Sequence, residues 1–314
     1  MSGLFRTKTI STSEQKIGQF QVNQATYGLP ASLVFGRTRI SPNIIDYVDF
    51  TAIPHTETQR TGKGGGTKVQ NTTYTYTVAI ILGLGEGPLN ARTAWKDKTI
   101  LRGSGAAQLG LTLFDGRHGQ DPWPYMVSRH PERALPYSGL AYLAGVIDLG
   151  GSASLPNFNF EVDGHLQDTG DGIDANPADL CAFLISNQFN GCGLSSDNID
   201  QESLAQFRAY CQASGILVSG ELKEQKECQE IIKEICDATN TMNFQSQDKI
   251  KFVPLCDERI EGNGAAYQPN TIPLYDLGED DFLDQGKNPL VIFTRDTTAD
   301  AYNQQTVEFI NRDN

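Results

Sequence analysis

Read for the alternation of apolar and polar positions, the first half of the chain is a succession of strand-length segments. ASLVFGRTRI, NIIDYVDFTAI, YTYTVAIILGL, RTAWKDKTI, LTLFDG and SGLAYLAGVIDL are rich in β-branched and aromatic residues, and turns such as GLGEGPLN and DGRHGQDPWP separate them. Two of these strands are long, because NIIDYVDFTAIPHTET and VQNTTYTYTVAIILGL both read as extended on either side of a glycine-rich loop. HPERALPYSG has too much proline for more than a short helical turn, and FNFEVDGHL adds a strand with Phe158, Phe160 and Val162 on one face. After QDTGDGIDANP the period lengthens. Asn176 reads as an N-cap with Pro177 at the first helical position, opening the helix PADLCAFLISNQF. QESLAQFRAYCQASG places Leu204, Phe207 and Cys211 at helical spacing and ends at Gly215. KEQKECQEIIKEICDATN puts Cys228, Ile231, Ile232, Ile235 and Cys236 on one helical face. ILVSGEL reads as a short strand, and MNFQSQDKIKFVPL as a hairpin turning at Gln247-Asp248. Beyond the acidic stretch YDLGEDDFLDQG, PLVIFTRDT and QTVEFINRD read as two last strands.

This order predicts an α+β chain that is predominantly β. Residues 1–23 form an extended polar arm, 24–174 a β-rich domain, 175–255 a small α+β module, and 256–314 a return to β. No internal repeat is visible. The 31 glycines and 14 prolines among 314 residues accord with many strands and turns, and 39% hydrophobic residues are enough for a core. A net charge of −13 argues against nucleic acid as a static ligand, since phosphate binding needs a lysine- and arginine-rich surface. It would suit a channel through which a polyanion slides without sticking. The start lacks the apolar run of a secretory signal, and the longest apolar run, VAIILGLG, has a strand's length rather than that of a membrane span.

Candidate chemistry begins with RTGKGGGTKVQ, in which Gly62, Lys63, Gly64, Gly65, Gly66 and Lys68 resemble a phosphate cradle in composition. A P-loop needs lysine and a hydroxyl residue directly after its last glycine, at a helix start. Here Gly66 is followed by Thr67-Lys68 and then by a strand, so the stretch reads as a loop joining two strands. LGLGEGP has Gly83, Gly85 and Gly87 but Pro88 in place of the next glycine of a dinucleotide fingerprint, and reads as a turn. Carboxylates gather at Asp163, Asp168, Asp171 and Asp174, and at Asp276, Glu279, Asp280, Asp281 and Asp284; solvated loops are the expectation for both groups. The four histidines follow no metal-binding spacing, and no serine sits in a nucleophile elbow. Trp95 and Trp123 read as core or interface anchors. The six cysteines all fall between positions 181 and 256 without a C-x-x-C pair, which reads as reduced, mostly buried thiols, with a metal site as the alternative. No catalytic, cofactor or metal residue is assigned, and the absence of a catalytic constellation points to a structural or binding role.

Several long phrases closely resemble the N-terminal part of bacteriophage tail-tip proteins, the family of the tip attachment (baseplate hub) protein of lambda-like long-tailed phages. They are YGLPASLVFGRTRISPNIIDYVDFTAIPHTET, TYTYTVAIILGLGEGPLNARTAWKDK, LGLTLFDGRHGQDPW, HPERALPYSGLAYLAG, LGGSASLPNFNFEV, DANPADLCAFLISNQFNGCG, GNGAAYQPNTIPLYDLGEDDFL and DAYNQQTVEFINRDN. The resemblance implies tail-tube-like β-barrel hub domains with the α+β module inserted, completed by the last strands, and a homotrimer closing the tail tube. Implied partners are distal tail or tail-tube proteins, the tape-measure protein, and a tail or central fibre, with DNA passing through the lumen. The implied location is the virion, after synthesis in the bacterial cytoplasm. The family carries no catalytic motif to transfer and no cofactor. The loops at 56–70 and 276–286, with Gly62–Gly66, Lys68, Asp280 and Asp281, become candidate interfaces. Family members often run on into host-binding domains, so this chain is expected to be a short version or part of a longer protein. The other readings are a tail-associated cell-wall hydrolase, which needs two close carboxylates in a cleft, and a receptor-binding module, to which Trp123 could contribute.

Overall fold

The computed structural model describes residues 9–20, 30–61, 67–273, 275–282, 286 and 292. It divides into two compact units, one of Met1–Leu255 with Ile260–Tyr267 and one of Cys256–Arg259 with Gln268–Asn314. The first unit opens with β1 (Thr9–Ser13), β2 (Leu33–Phe35), β3 (Arg37–Ile40) and two long strands, β4 (Asn43–Thr61) and β5 (Thr67–Glu86). There follow β6 (Asn90–Lys96), β7 (Thr99–Leu101), α1 (Gly105–Gln108), β8 (Leu111–Phe114), α2 (Pro124–Arg129), β9 (Leu140–Gly150) and β10 (Phe158–Asp163). The rest of the unit holds α3 (Pro177–Ser186), α4 (Gln201–Ser214), β11 (Gly220–Leu222), α5 (Cys228–Ala238), β12 (Thr241–Ser246), β13 (Lys249–Pro254), β14 (Ile260–Gly262) and β15 (Ala265–Tyr267). The fold is therefore α+β and predominantly β.

The centre is β5. Along one edge it pairs antiparallel with β4 from Thr67 to Gly83. Its other edge carries two strands in tandem, β1 in parallel register at Lys68–Thr72 and β9 from Tyr76 onward. β8 completes this sheet beyond β9. The second sheet has the order β3-β10-β6-β7. Val78, Ile80, Leu82 and Leu84 on one face of β5 pack with Ile40, Ala94, Phe158, Phe160 and Val162 of the second sheet. On the opposite face, Ala79 and Ile81 meet Trp123 and Met126 of the α2 segment. A strand covered on both faces has no polar side to show, which is why VAIIL is an unbroken apolar run.

Both sheets are open among the described residues, so the barrels implied by the resemblance are not closed here: β4 and β8 end the larger sheet without meeting. Gly83 and Gly85 lie inside β5 rather than in a turn, with a register shift between them against β9. ASLVFGRTRI is two strands, not one. Gly36 breaks it with φ +59°, where a Cβ would also meet the Ser219 side chain. DGRHGQDPWP reads as a turn and HPERALPYSG as at most a short helical turn, so α2 between them is new: Pro124 opens it and Pro131 forces the chain out of it. The third predicted helix starts later than its sequence pattern, at Cys228. PLVIFTRDT and QTVEFINRD lie outside the described residues apart from Ile292.

The helices form as their caps direct. Asn176 Oδ1 accepts from Ala178 N at 3.0 Å, while Asn176 Nδ2 donates to Arg208 O at 3.1 Å, and the residue is fully buried. Replacing Asn176 with alanine removes the α3 cap and leaves the buried Ala178 N–H without its acceptor. We expect a loss of about 2 kcal/mol, read as a lowered denaturant midpoint with unchanged slope. Gly215 ends α4 in the left-handed conformation. Gln247 and Asp248, both at positive φ, make the two-residue turn between β12 and β13. The helical part is joined to the β part by β11 pairing with β2 and by Ser219 Oγ, which accepts from Arg37 N at 3.0 Å.

Candidate assembly interface

Beyond Tyr76 the two long strands leave the core. Nine residue pairs, from Ile53↔Thr75 to Thr61↔Thr67, continue the β4–β5 hairpin outward for roughly 30 Å. The change is written in the residues, since VAIIL gives way to alternating Thr and Tyr and then to QNTT. No residue from Ile53 to Gln59 or from Lys68 to Thr75 is buried, and β1, which lies along Lys68–Thr72, is exposed throughout. Polar cross-strand contacts replace apolar packing: His55 Nε2 to Thr75 Oγ1 at 2.7 Å and Thr56 Oγ1 to Thr72 Oγ1 at 3.0 Å. Among the described residues no strand pairs with the outer edge of β4 or of β1. Pro54 has no N–H to offer a neighbouring strand, a common device for keeping an edge from uncontrolled pairing.

The root of this ribbon is held firmly. Residues 14–20 cross the sheet, Ile17 N donates to Tyr76 Oη at 3.0 Å, and Phe20 packs on Tyr47 and Phe50, with Phe50 stacked on Tyr76. On β4, a register shift between Val48 and Thr51 leaves Asp49 at φ 52°. Its carboxylate accepts from Tyr125 Oη at 2.7 Å and contacts His130 Nε2 at 3.0 Å, while Arg133 pairs with Asp46. The hydrogen bonds from His130 and then Tyr125 lower the Asp49 pKa. Burial, with the Asp49 contact adding to it, raises that of Tyr125. The α2 segment thus pins the bulge from which the ribbon springs.

Of the sequence-predicted interface residues, Lys68 is placed on β5 opposite Thr9 and half-buried. Gly62, Lys63, Gly64, Gly65 and Gly66 lie outside the described residues. Asp280 and Asp281 are exposed in a 3-10 turn (Glu279–Asp281) of the second unit, where Asp281 Oδ2 accepts from Gly278 N at 2.7 Å and so closes its own turn. Lys68 and these aspartates belong to different units. Sequence reading missed β1 and the open edge of β4. The β-branched alternation of TISTS was a signal for the former, whereas the latter has no local signature.

Of the carboxylates near 163–174, Asp168 is exposed as expected, whereas Asp163, Asp171 and Asp174 serve structure, Asp174 by accepting from Ser219 Oγ. Asp163, expected in a solvated loop, is only 8% exposed, because it ends β10 inside the second sheet. Arg37 Nε reaches its Oδ1 at 2.7 Å and Gln167 Nε2 the same oxygen at 3.0 Å; Oδ2 takes Asn90 Nδ2 at 3.2 Å and Arg92. Asp171 accepts from the backbone of Ile173 and Asp174. Trp123 is buried in the core, and Arg39 lies over the ring of Trp95 at 4.3 Å. Among the described residues no group of three or more His, Cys, Asp or Glu could hold a metal ion. Among them, too, no helix is long and apolar enough to cross a membrane.

No protein family matches the sequence, and no curated protein does. Among the solved structures that match is a chain of the virion of a native gene transfer agent particle, similar over 76% of this chain at 19% identity and a TM-score of 0.43. The match covers 56% of that chain, so this chain spans little more than half its length.

Proposed function

We propose that the chain is a structural virion protein, the homotrimeric hub of a long-tailed phage tail tip, and that the β1–β5–β4 ribbon is its main subunit contact. The observation that carries this reading is the ribbon itself, a roughly 30 Å extension without a core and with two edges that no described strand pairs. Such a ribbon is at best marginally stable in water by itself. Three strands at their usual spacing give each flat face roughly 350 Å². A stable interface buries roughly 800 Å² per partner, so one face falls well short, while both faces covered by neighbours, roughly 700 Å², approach it. The phrase-by-phrase resemblance to tail-tip proteins supports the specific role: three copies meeting distal tail or tube proteins above, the tape-measure protein within, and a fibre below. A charge of −13 fits a lumen that DNA crosses without adhering. The loops at 62–66 and 276–286 are further candidate contacts.

The test is the molar mass of the purified chain by light scattering, with and without its tube-side partner. A trimer, alone or on adding the partner, is the expected result. A monomer that ignores the tube proteins at micromolar concentration overturns the reading.

A further inference from the structure

Four of the six cysteines stand in two neighbouring pairs, and the two pairs differ in access to solvent. Cys181 and Cys236 meet inside the helical module, close to Cys211, and all three are buried. Cys192 and Cys228 meet at the surface. Cys192 is exposed in the loop after α3, and Cys228 is the half-exposed first residue of α5.

The second pair is held in place by one backbone oxygen. Leu184 O, near the end of α3, accepts from Cys192 N at 2.8 Å and from Cys228 Sγ at 3.3 Å. The loop carrying Cys192 is itself tightly tied: Asn187 Oδ1 accepts from Phe189 N and Asn190 N, both at 2.8 Å, and Leu194 N donates to Ile185 O at 3.0 Å. At Gly191 the backbone runs so close to α3 that a Cβ would lie 2.0 Å from Leu184 O. Sharing one acceptor, the Cys228 thiol and the Cys192 backbone N–H stand side by side. From there a turn of the exposed Cys192 side chain toward Cys228 can bring the sulfurs to the ~2 Å of a bond.

We propose that Cys192 and Cys228 form a specific disulfide on exposure to a disulfide oxidant, while Cys181, Cys211 and Cys236 remain thiols. Cys192 thiolate attacks oxidised glutathione, forming a mixed disulfide and releasing one glutathione thiolate. Cys228, after losing its proton to solvent, attacks the Cys192 sulfur and expels the second. Two protein thiols are oxidised and one glutathione disulfide is reduced to two thiols. The order follows from exposure. Burial pushes the Cys228 thiol up to about 12, with the Cys192 hydrogen bond adding to it, so the exposed sulfur meets the oxidant first. The link would fasten α5 to the loop that presents Phe189, which is 91% exposed. The chemistry stands on the thiol geometry alone; only its setting, a particle leaving a reducing cytosol for an oxidising medium, rests on the proposed function.

The experiment treats the full chain with oxidised glutathione at mildly alkaline pH, quenches with acid, and maps peptides without reduction. The expected product is one internal Cys192–Cys228 link, an intact mass lower by two hydrogens, and a Tm higher by about 5 °C that dithiothreitol reverses. Cys228→Ser, whose hydroxyl can keep the Leu184 contact, should stop at a single glutathione adduct on Cys192. Wild-type chain stalled at that adduct, covalent dimers through Cys192, or a link involving Cys181, Cys211 or Cys236 would each overturn the proposal. None of these outcomes depends on whether the chain is a tail hub.

Discussion

Replacing Asp163 with alanine should destabilise the fold by about 3 kcal/mol at neutral pH. The carboxylate holds Arg37 of β3, Asn90 and Arg92 of β6 and Gln167 together at the end of β10, so it ties three neighbouring strands. Arg37 is only 19% exposed and would be left with an uncompensated charge. That cost, rather than the Coulomb energy of the pair, sets the size of the effect. Arg92 is 47% exposed, and Arg92→Ala should cost no more than about 1 kcal/mol because water replaces the lost partner. Chemical denaturation of both variants separates the two contributions. A loss below that of Arg92→Ala would show that the cluster does not tie the sheet.

The same residue has a pH signature. Burial raises the Asp163 pKa, but the hydrogen bonds from Gln167, Arg37 and Arg92 together outweigh it and the net shift is downward. A carboxylate with a depressed folded pKa contributes fully above its unfolded value, roughly 3.9, and loses that contribution as pH falls through the folded value. The stability gap between wild type and Asp163→Ala should therefore be widest at neutral pH and narrow in acid below pH ~4. A gap that stayed constant into strong acid would mean that ionisation is not what the alanine removes.

Cutting back the ribbon should separate assembly from folding. Deleting residues 56–72 and joining His55 to Thr73, which are paired in the hairpin, through an Asn-Gly turn removes the outer ribbon and keeps the register of its root. None of the described side chains removed is buried, and Phe20, Phe50 and Tyr76 all remain. The shortened chain should unfold within about 1 kcal/mol of the original. Its subunit association should fall below detection by light scattering at micromolar concentration, since most of the proposed contact area is gone. A shortened chain that still forms trimers would move the interface elsewhere, and one that fails to fold would show the ribbon to be part of the core.

Much of this architecture is local and was legible in the residues. The unbroken VAIIL run, the Asn176-Pro177 start of α3, the Gly215 end of α4 and the Gln247-Asp248 turn each follow from periodicity or from one or two residues with restricted backbones. The strand character of both arms of the long hairpin followed in the same way. Periodicity says which residues share a face; it does not say what covers that face or which edge stays open. Asp163 looked like one of four solvated carboxylates because its partner Arg37 is 126 positions away. Cys192 and Cys228 share no motif and meet only because both reach Leu184 O. Pairing of β1 with the outer half of β5, and the edge of β4 left unpaired among the described residues, also depend on contacts far apart in the chain. The sequence by itself thus determined the elements and their buried faces, since those depend on neighbours a few residues away. Tertiary structure alone decided which charges became buried, which thiols met and which edges no described strand covers, because each is set by what long-range packing brings alongside.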